Sequence, residues 1–233
     1  MSLGRRRWLL GVASLACAAL PVRRLFAAPA ALLLDRVAVR FWAPESGSAS
    51  RPRFVFEHEL AFFARMAALG DPTYRAEAGP YRNHHLRGAL ERWIAESLLA
   101  SLRMEPEATE AEIGVQTERA WAYAAMEVGG QKGIDAAAQA EGLTRRDVDR
   151  LMRLRARASL YLDRMVAPML KPTLLELERV HETERTPYSD RPFAEVVEPL
   201  RQWVAARSLR AAAQNFYRSA RPRLRIEYLT ISL

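Results

Sequence analysis

The chain has 233 residues, half of them apolar, and a formal charge of +8. Its one cysteine, Cys17, excludes a disulfide framework. The charge points first to nucleic acid or a membrane, but five arginines (Arg5, Arg6, Arg7, Arg23 and Arg24) fall in the first thirty residues, which hold no acid; the rest carries 30 basic against 27 acidic residues, an ordinary mixed surface.

Those first thirty residues read as an export signal. "GRRRW" is a positive n-region, "LLGVASLACAAL" an apolar run of 12, and Ala28-Pro29-Ala30 a small-residue cleavage site. Twelve apolar residues are too few to span a bilayer comfortably. Arg5-Arg6 loosely matches a twin-arginine signal. "SLAC" ends like a lipobox, but Ser14 stands where that motif wants a bulky aliphatic residue. Cleavage after Ala30 predicts a periplasmic protein with no cysteine and no stable membrane span.

In "LLLDRVAVRFW", Val37, Val39 and Phe41 alternate with Arg36, Ala38 and Arg40, the period of a half-buried strand. A Ser/Gly/Pro loop leads to a second short strand, "RFVF", which makes a long-looped hairpin with the first. A helix with Leu60, Phe63, Ala64 and Ala67 on one face ends near Gly70. Leu86, Leu90, Trp93, Ile94 and Leu98 mark an amphipathic helix over 81–104. The next helix spans 107–126 and ends at the glycines of "VGGQKG".

"AAAQAEGLTRRDVDRLMRLR" has the look of a DNA-reading helix-turn-helix. Gly142 is the expected C′ residue of a short helix over 134–140. Thr144 and Asp147 form a capping-box pattern for the helix that follows. Its apolar stripe, Val148, Leu151, Leu154, Ala158, Tyr161 and Met165, runs about five turns to Pro168, longer than a recognition helix usually is. Thr173 and Glu176 cap a short helix over 174–182. After the loop 183–192 comes a long helix in which Pro199 marks a kink or the true first turn. In "RLRIEYLTISL", Leu224, Ile226 and Tyr228 alternate with Arg223, Arg225 and Glu227 as a last strand. Neither terminal strand is stable alone, so the last is expected to pair with the first and close a small sheet over the helices.

This order of elements resembles the SurA family of periplasmic chaperones: the family's N-terminal domain with its C-terminal helix and strand. "LLLDRVAVRF" resembles the opening strand, and "FVFEHEL" the strand-to-helix turn, with Glu57 and His58 where a Ser or Thr cap is common. "LRGALERWIAESLLASLRM" resembles the long helix and "AEGLTRRDVDRLMRLRARASLYLDRMV" the next helical pair. "RPFAEVVEPLRQWVAARSLRAAAQNFYRSARPRLRIEYL" resembles the closing helix and strand. The resemblance covers nearly all of the expected mature chain and implies a mainly α, SurA-like helical chaperone domain with a small sheet of N- and C-terminal strands. Residues 31–233 then form one domain: strands over 31–56, a helical body over 57–182, the loop 183–192 and a closing helix and strand over 193–233. Family members often insert a parvulin-type prolyl isomerase domain of roughly a hundred residues. Only ten residues separate Glu182 from Phe193, so a non-enzymatic chaperone is expected. The helical pair then packs internally rather than reading DNA.

The four histidines give no i, i+4 metal pair, and no phosphate loop or nucleophile motif is present. No catalytic residue, metal or cofactor is therefore expected, and binding needs no ATP. Trp93, Trp121, Met126, Met152, Tyr161, Met165 and Met169, with Trp203, form an apolar surplus on helices. Such side chains suit a groove that accepts many sequences, and they are the candidate contacts for unfolded or outer-membrane polypeptides. The alternatives are a dedicated interaction subunit on the same scaffold and, less favoured, a helix-turn-helix regulator.

Overall fold

A computed structural model describes residues 35–44, 51–75 and 79–230. The expected export signal, its cleavage site and the start of the mature chain lie outside the described residues. Three strands, β1 (Val37–Trp42), β2 (Arg53–Phe56) and β3 (Arg225–Tyr228), form an antiparallel sheet in the order β2-β1-β3. The last strand thus pairs with the first, with Phe41 opposite Ile226 and Arg40 opposite Glu227. Register slips between Val37 and Val39, a bulge that turns Ala38 inward as well as Val39 and Phe41. One expectation is corrected at the edge: Leu224 is buried and Ile226 partly so, but Tyr228 is 46% exposed and lies outside the core cluster that holds the other two.

The chain passes from β2 directly into α1 (Glu57–Leu69). Phe56, its N-cap, offers no side-chain acceptor. The free N–H groups of the first turn are met from β1's approach instead: Glu57 N–H donates to Arg36 O at 2.8 Å, and His58 N–H reaches Asp35 Oδ1 at 3.5 Å. Helices α2 (Asn83–Ser101) and α3 (Glu110–Glu127) follow, then α4 (Gln131–Ala140) and α5 (Arg145–Tyr161). Helix α4 begins three residues before the expected Ile134. Gly133 belongs to it: a Cβ there would stand 2.7 Å from Val128 O, so only glycine lets α4 start this close to the end of α3.

The joint between α4 and α5 is a Schellman motif. Gly142 has φ +70°, Leu143 N–H donates to Ala138 O at 2.9 Å, and Gly142 N–H to Gln139 O at 3.2 Å. Thr144 and Asp147 cap α5 reciprocally. The long stripe is not one α-helix, as its spacing suggested. Helix α5 stops at Tyr161, a π-turn covers Leu162–Val166 and a 3-10 turn Ala167–Leu170. Pro168 has no N–H for the carbonyl four residues back and its ring crowds that carbonyl. The backbone widens there, and Ala167 N–H bonds Leu162 O five residues back.

The main core lies between the sheet and α1, α2, α4 and α5, around Phe41, Leu60, Phe62, Ile94, Leu98, Ile134, Leu151 and Met152. Phe41 meets the Trp93 ring edge-on, with centroids 6.1 Å apart. Helices α6 (Leu174–Thr183) and α7 (Phe193–Ala220) share a separate small core of Leu177, Leu200 and Val204. Pro199 sits inside α7 rather than at its start, six residues after Phe193. The C-terminal half of α7 returns to the body beside α2 and delivers β3 to the sheet.

Candidate functional site

Because α7 is held at one end by its own small core and at the other by the sheet, a groove of about 1030 Å³ stays open between it and the body. One wall is α2, α3, α5 and the π-turn; the other is α7. Leu99, Ala120, Ala158 and Leu162 supply apolar surface on the body side, and Leu209, Ala213 and Tyr217 on the α7 side. Those last three recur every fourth residue, so one stripe of α7 faces the cleft. Tyr123 stands at the α3 wall, 67% exposed. Burial, and then the nearby Glu91 carboxylate, push the Tyr217 hydroxyl above its ordinary value.

Polar pairs brace the body wall. Arg155 Nε donates to Glu96 Oε1 at 3.0 Å, linking α5 to α2. Gln116 Nε2 donates to Asp163 Oδ2 at 2.7 Å, linking α3 to the π-turn. Arg92 lies 3.9 Å from Glu127. The groove is therefore a mixed surface with apolar strips between charged side chains.

The structure scatters the residues the sequence singled out. Trp93 and Met152 are core residues, 7% and 0% exposed, so their proposed place on a binding surface is corrected. Trp121 is half-buried: its Nε1–H donates to Asp149 Oδ1 at 3.0 Å, and the Arg145 guanidinium lies 3.8 Å over the ring. Tyr161 packs beneath the ends of α2 and α3. Met126 and Met169 are fully at the surface, and Met165 partly. None of these seven lines the groove. Trp203 joins the small core between α6 and α7. The contacts missed, Leu99, Tyr123, Leu162, Leu209 and Tyr217, come from elements far apart in sequence. Only the four-residue stripe on α7 was a readable signal.

Most of the arginines that give α5 its DNA-reading look are engaged elsewhere. Arg150, Arg153, Arg155 and Arg157 pair with Glu59, Glu110, Glu96 and Glu107, at 2.5, 2.6, 3.0 and 2.7 Å. They tie α5 to α1, α3, α2 and the loop before α3. Arg145 is held by Trp121 and by Asp149 at 3.4 Å.

Asp71, His84 and His85 come close enough to suggest a metal site, with ligand atoms within 4.8 Å of one another. Their hydrogen bonds argue otherwise. His85 Nδ1 accepts the Arg82 N–H at 3.1 Å, which in a neutral ring puts the proton on Nε2. That Nε2–H points to Asp71 Oδ2 at 3.1 Å, so the ring has no lone pair left for a cation. The trio clasps the turn after α1 to the first turn of α2. The Thr73 hydroxyl and N–H, then His85, hold the Asp71 carboxyl well below its ordinary value.

No protein-family model, no curated protein and no solved structure matches the chain.

Proposed function

We propose that the chain is an exported, ATP-independent holding chaperone that binds unfolded envelope or outer-membrane polypeptides in the groove between α7 and the helical body. The groove itself carries this reading: about 1030 Å³ of open cleft with apolar strips on both walls, the right dimensions for an extended segment rather than a folded partner. The SurA-like order of elements supports it, as do the terminal strands that meet in one sheet. The paired arginines of α5 weigh against a DNA-reading role for that helix. The short connection between α6 and α7 weighs against isomerase activity.

The test is aggregation of an urea-unfolded outer-membrane β-barrel after dilution, with and without the protein. Slower aggregation without ATP, and no acceleration of proline isomerisation, are expected; the uncatalysed barrier of about 18–20 kcal/mol then stands. Aggregation at an unchanged rate overturns the chaperone reading, and isomerase activity overturns the non-enzymatic one. A dedicated interaction subunit is the second reading. Met169, Leu174 and Leu175, all more than half exposed at the turn into α6, favour it. A single stoichiometric partner recovered from the envelope, with no effect on unfolded clients, would decide for it.

A further inference from the structure

We infer that the groove selects acidic polypeptide segments, in which Asp or Glu stand beside apolar or aromatic residues; the inference rests on the groove being the polypeptide site. Six arginines and four carboxylates line the cleft. Arg92 and Arg155 are matched by Glu127 and Glu96. Arg119, Arg210, Arg218 and Arg221 are exposed and pair with no carboxylate among the described residues. Arg210 donates to Ala206 O and Arg218 to Asn215 Oδ1, both neutral acceptors on α7 itself. Against these four stand only Glu91 and Asp163, and Asp163 accepts from Gln116. The cleft thus holds a surplus of two positive charges, most of the +3 carried by the whole chain after residue 30.

The surplus sits on both walls, Arg119 on α3 and the others on or just after α7. A segment lying between them meets cations from two sides. A low-dielectric cleft strengthens that field relative to an open surface. Its apolar strips take side chains of the same segment. The arginine-rich first thirty residues of this chain carry the wrong charge to be the occupant. A nucleic acid fits less well, because its regular phosphates would run against Glu91, Glu96, Glu127 and Asp163 on the same surface. A polypeptide can place its carboxylates only where the arginines are.

Fluorescence anisotropy on the full chain tests this with three labelled, unstructured 12-residue peptides. Each carries the same Tyr and Leu residues, with three Glu, three Gln or three Lys between them; a short oligo-dT is the fourth probe. Exposed ion pairs each change affinity by a factor of about 1.5–5, so the Glu peptide is expected to bind roughly tenfold tighter than the Gln peptide. The Lys peptide should bind weakest, and the spread should shrink with salt. The triple variant Arg119→Gln, Arg210→Gln, Arg218→Gln turns the surplus of two positive charges into a deficit of one, so the Glu peptide should lose its advantage over the Gln peptide and the Lys peptide should no longer bind weakest. Equal binding of the three peptides overturns the acidic preference and leaves the groove as a general polypeptide site. Oligo-dT bound as tightly as the Glu peptide overturns it in favour of any polyanion. No peptide binding at all overturns the groove reading, and this inference with it. Should the triple variant not fold, the peptide ranking and its salt dependence in the unaltered chain decide the matter.

Discussion

Removing Arg150 should destabilise the protein through the carboxylate it leaves behind, and acid should reverse the damage. Glu59 is 1% exposed in the first turn of α1. Its Oε1 accepts from Arg150 Nη2 at 2.5 Å, and Oε2 has no hydrogen-bond partner among the described residues. Burial pushes its carboxyl above the ordinary value, Arg150 opposes that, and Asp35 and Asp147 add to it. Arg150→Ala removes the one opposing charge that is hydrogen-bonded to it. Breaking a buried pair costs about 3–5 kcal/mol. Arg150 is itself 60% exposed, so water partly replaces it and the lower end, about 3 kcal/mol, applies. For a chain of this size that lowers Tm by roughly 6–12 °C.

The pH dependence follows from the sign of the shift. A carboxyl raised on folding contributes stability that is full below its ordinary value and lost as pH rises through the raised one. Arg150→Ala raises the carboxyl further, so its deficit should be largest at pH 8 and shrink by pH 6. Glu59→Gln keeps the volume and removes the buried charge. It loses about 0.3–1 kcal/mol of favourable helix-dipole interaction and gains relief from desolvation, so Tm should change little. The double variant should recover most of what Arg150→Ala loses. Thermal melts of the three variants at pH 6 and pH 8 check this. A deficit in Arg150→Ala that is the same at both values, or a Glu59→Gln more damaged than Arg150→Ala, would refute the reasoning.

Truncation before Leu224 should cost about 2–4 kcal/mol by urea melts, since Leu224 is buried and Ile226 only partly, and an unchanged midpoint would mean β3 does not close the sheet. Met152→Ser, in the core, should cost about 2–5 kcal/mol, whereas Met165→Ser should leave Tm nearly unchanged; similar losses in both would contradict their burial. Acid should loosen the N-terminus of α3. The Thr109 N–H and hydroxyl, then Arg164, hold the Glu112 carboxyl down at about 2, so its contribution is present above about 4.5 and lost as pH falls toward about 2. Hydrogen exchange of the first turn of α3 across that range reads this, and Glu112→Gln should flatten the response. N-terminal sequencing of the native protein should begin near Ala31; an intact Met1 in the cytosol would end the export reading.

Local features were legible in the sequence because their causes lie within a few residues. The capping boxes at Thr144 and Thr173, the left-handed Gly142 and the existence of both terminal strands follow from residues beside the backbone they control, though the inward and outward faces of those strands do not alternate as their spacing predicts. The closing of the sheet was readable too, since the last strand follows a long helical stretch and has only the N-terminal hairpin to pair with. Burial on the helices was not. Leu151 and Met165 share one stripe by spacing, yet the first is core and the second surface, because the winding changes after Tyr161. Gly133 read only as one of the glycines that end α3, until the fold brought it into α4 against Val128. The α5 arginines looked free because their acids come from α1, α2, α3 and a loop up to ninety-one residues away. The groove belongs wholly to the tertiary structure: Leu99, Tyr123 and Tyr217 each sit on an ordinary amphipathic helix, and only the return of α7 to the sheet, anchored at both ends, sets them around one cleft.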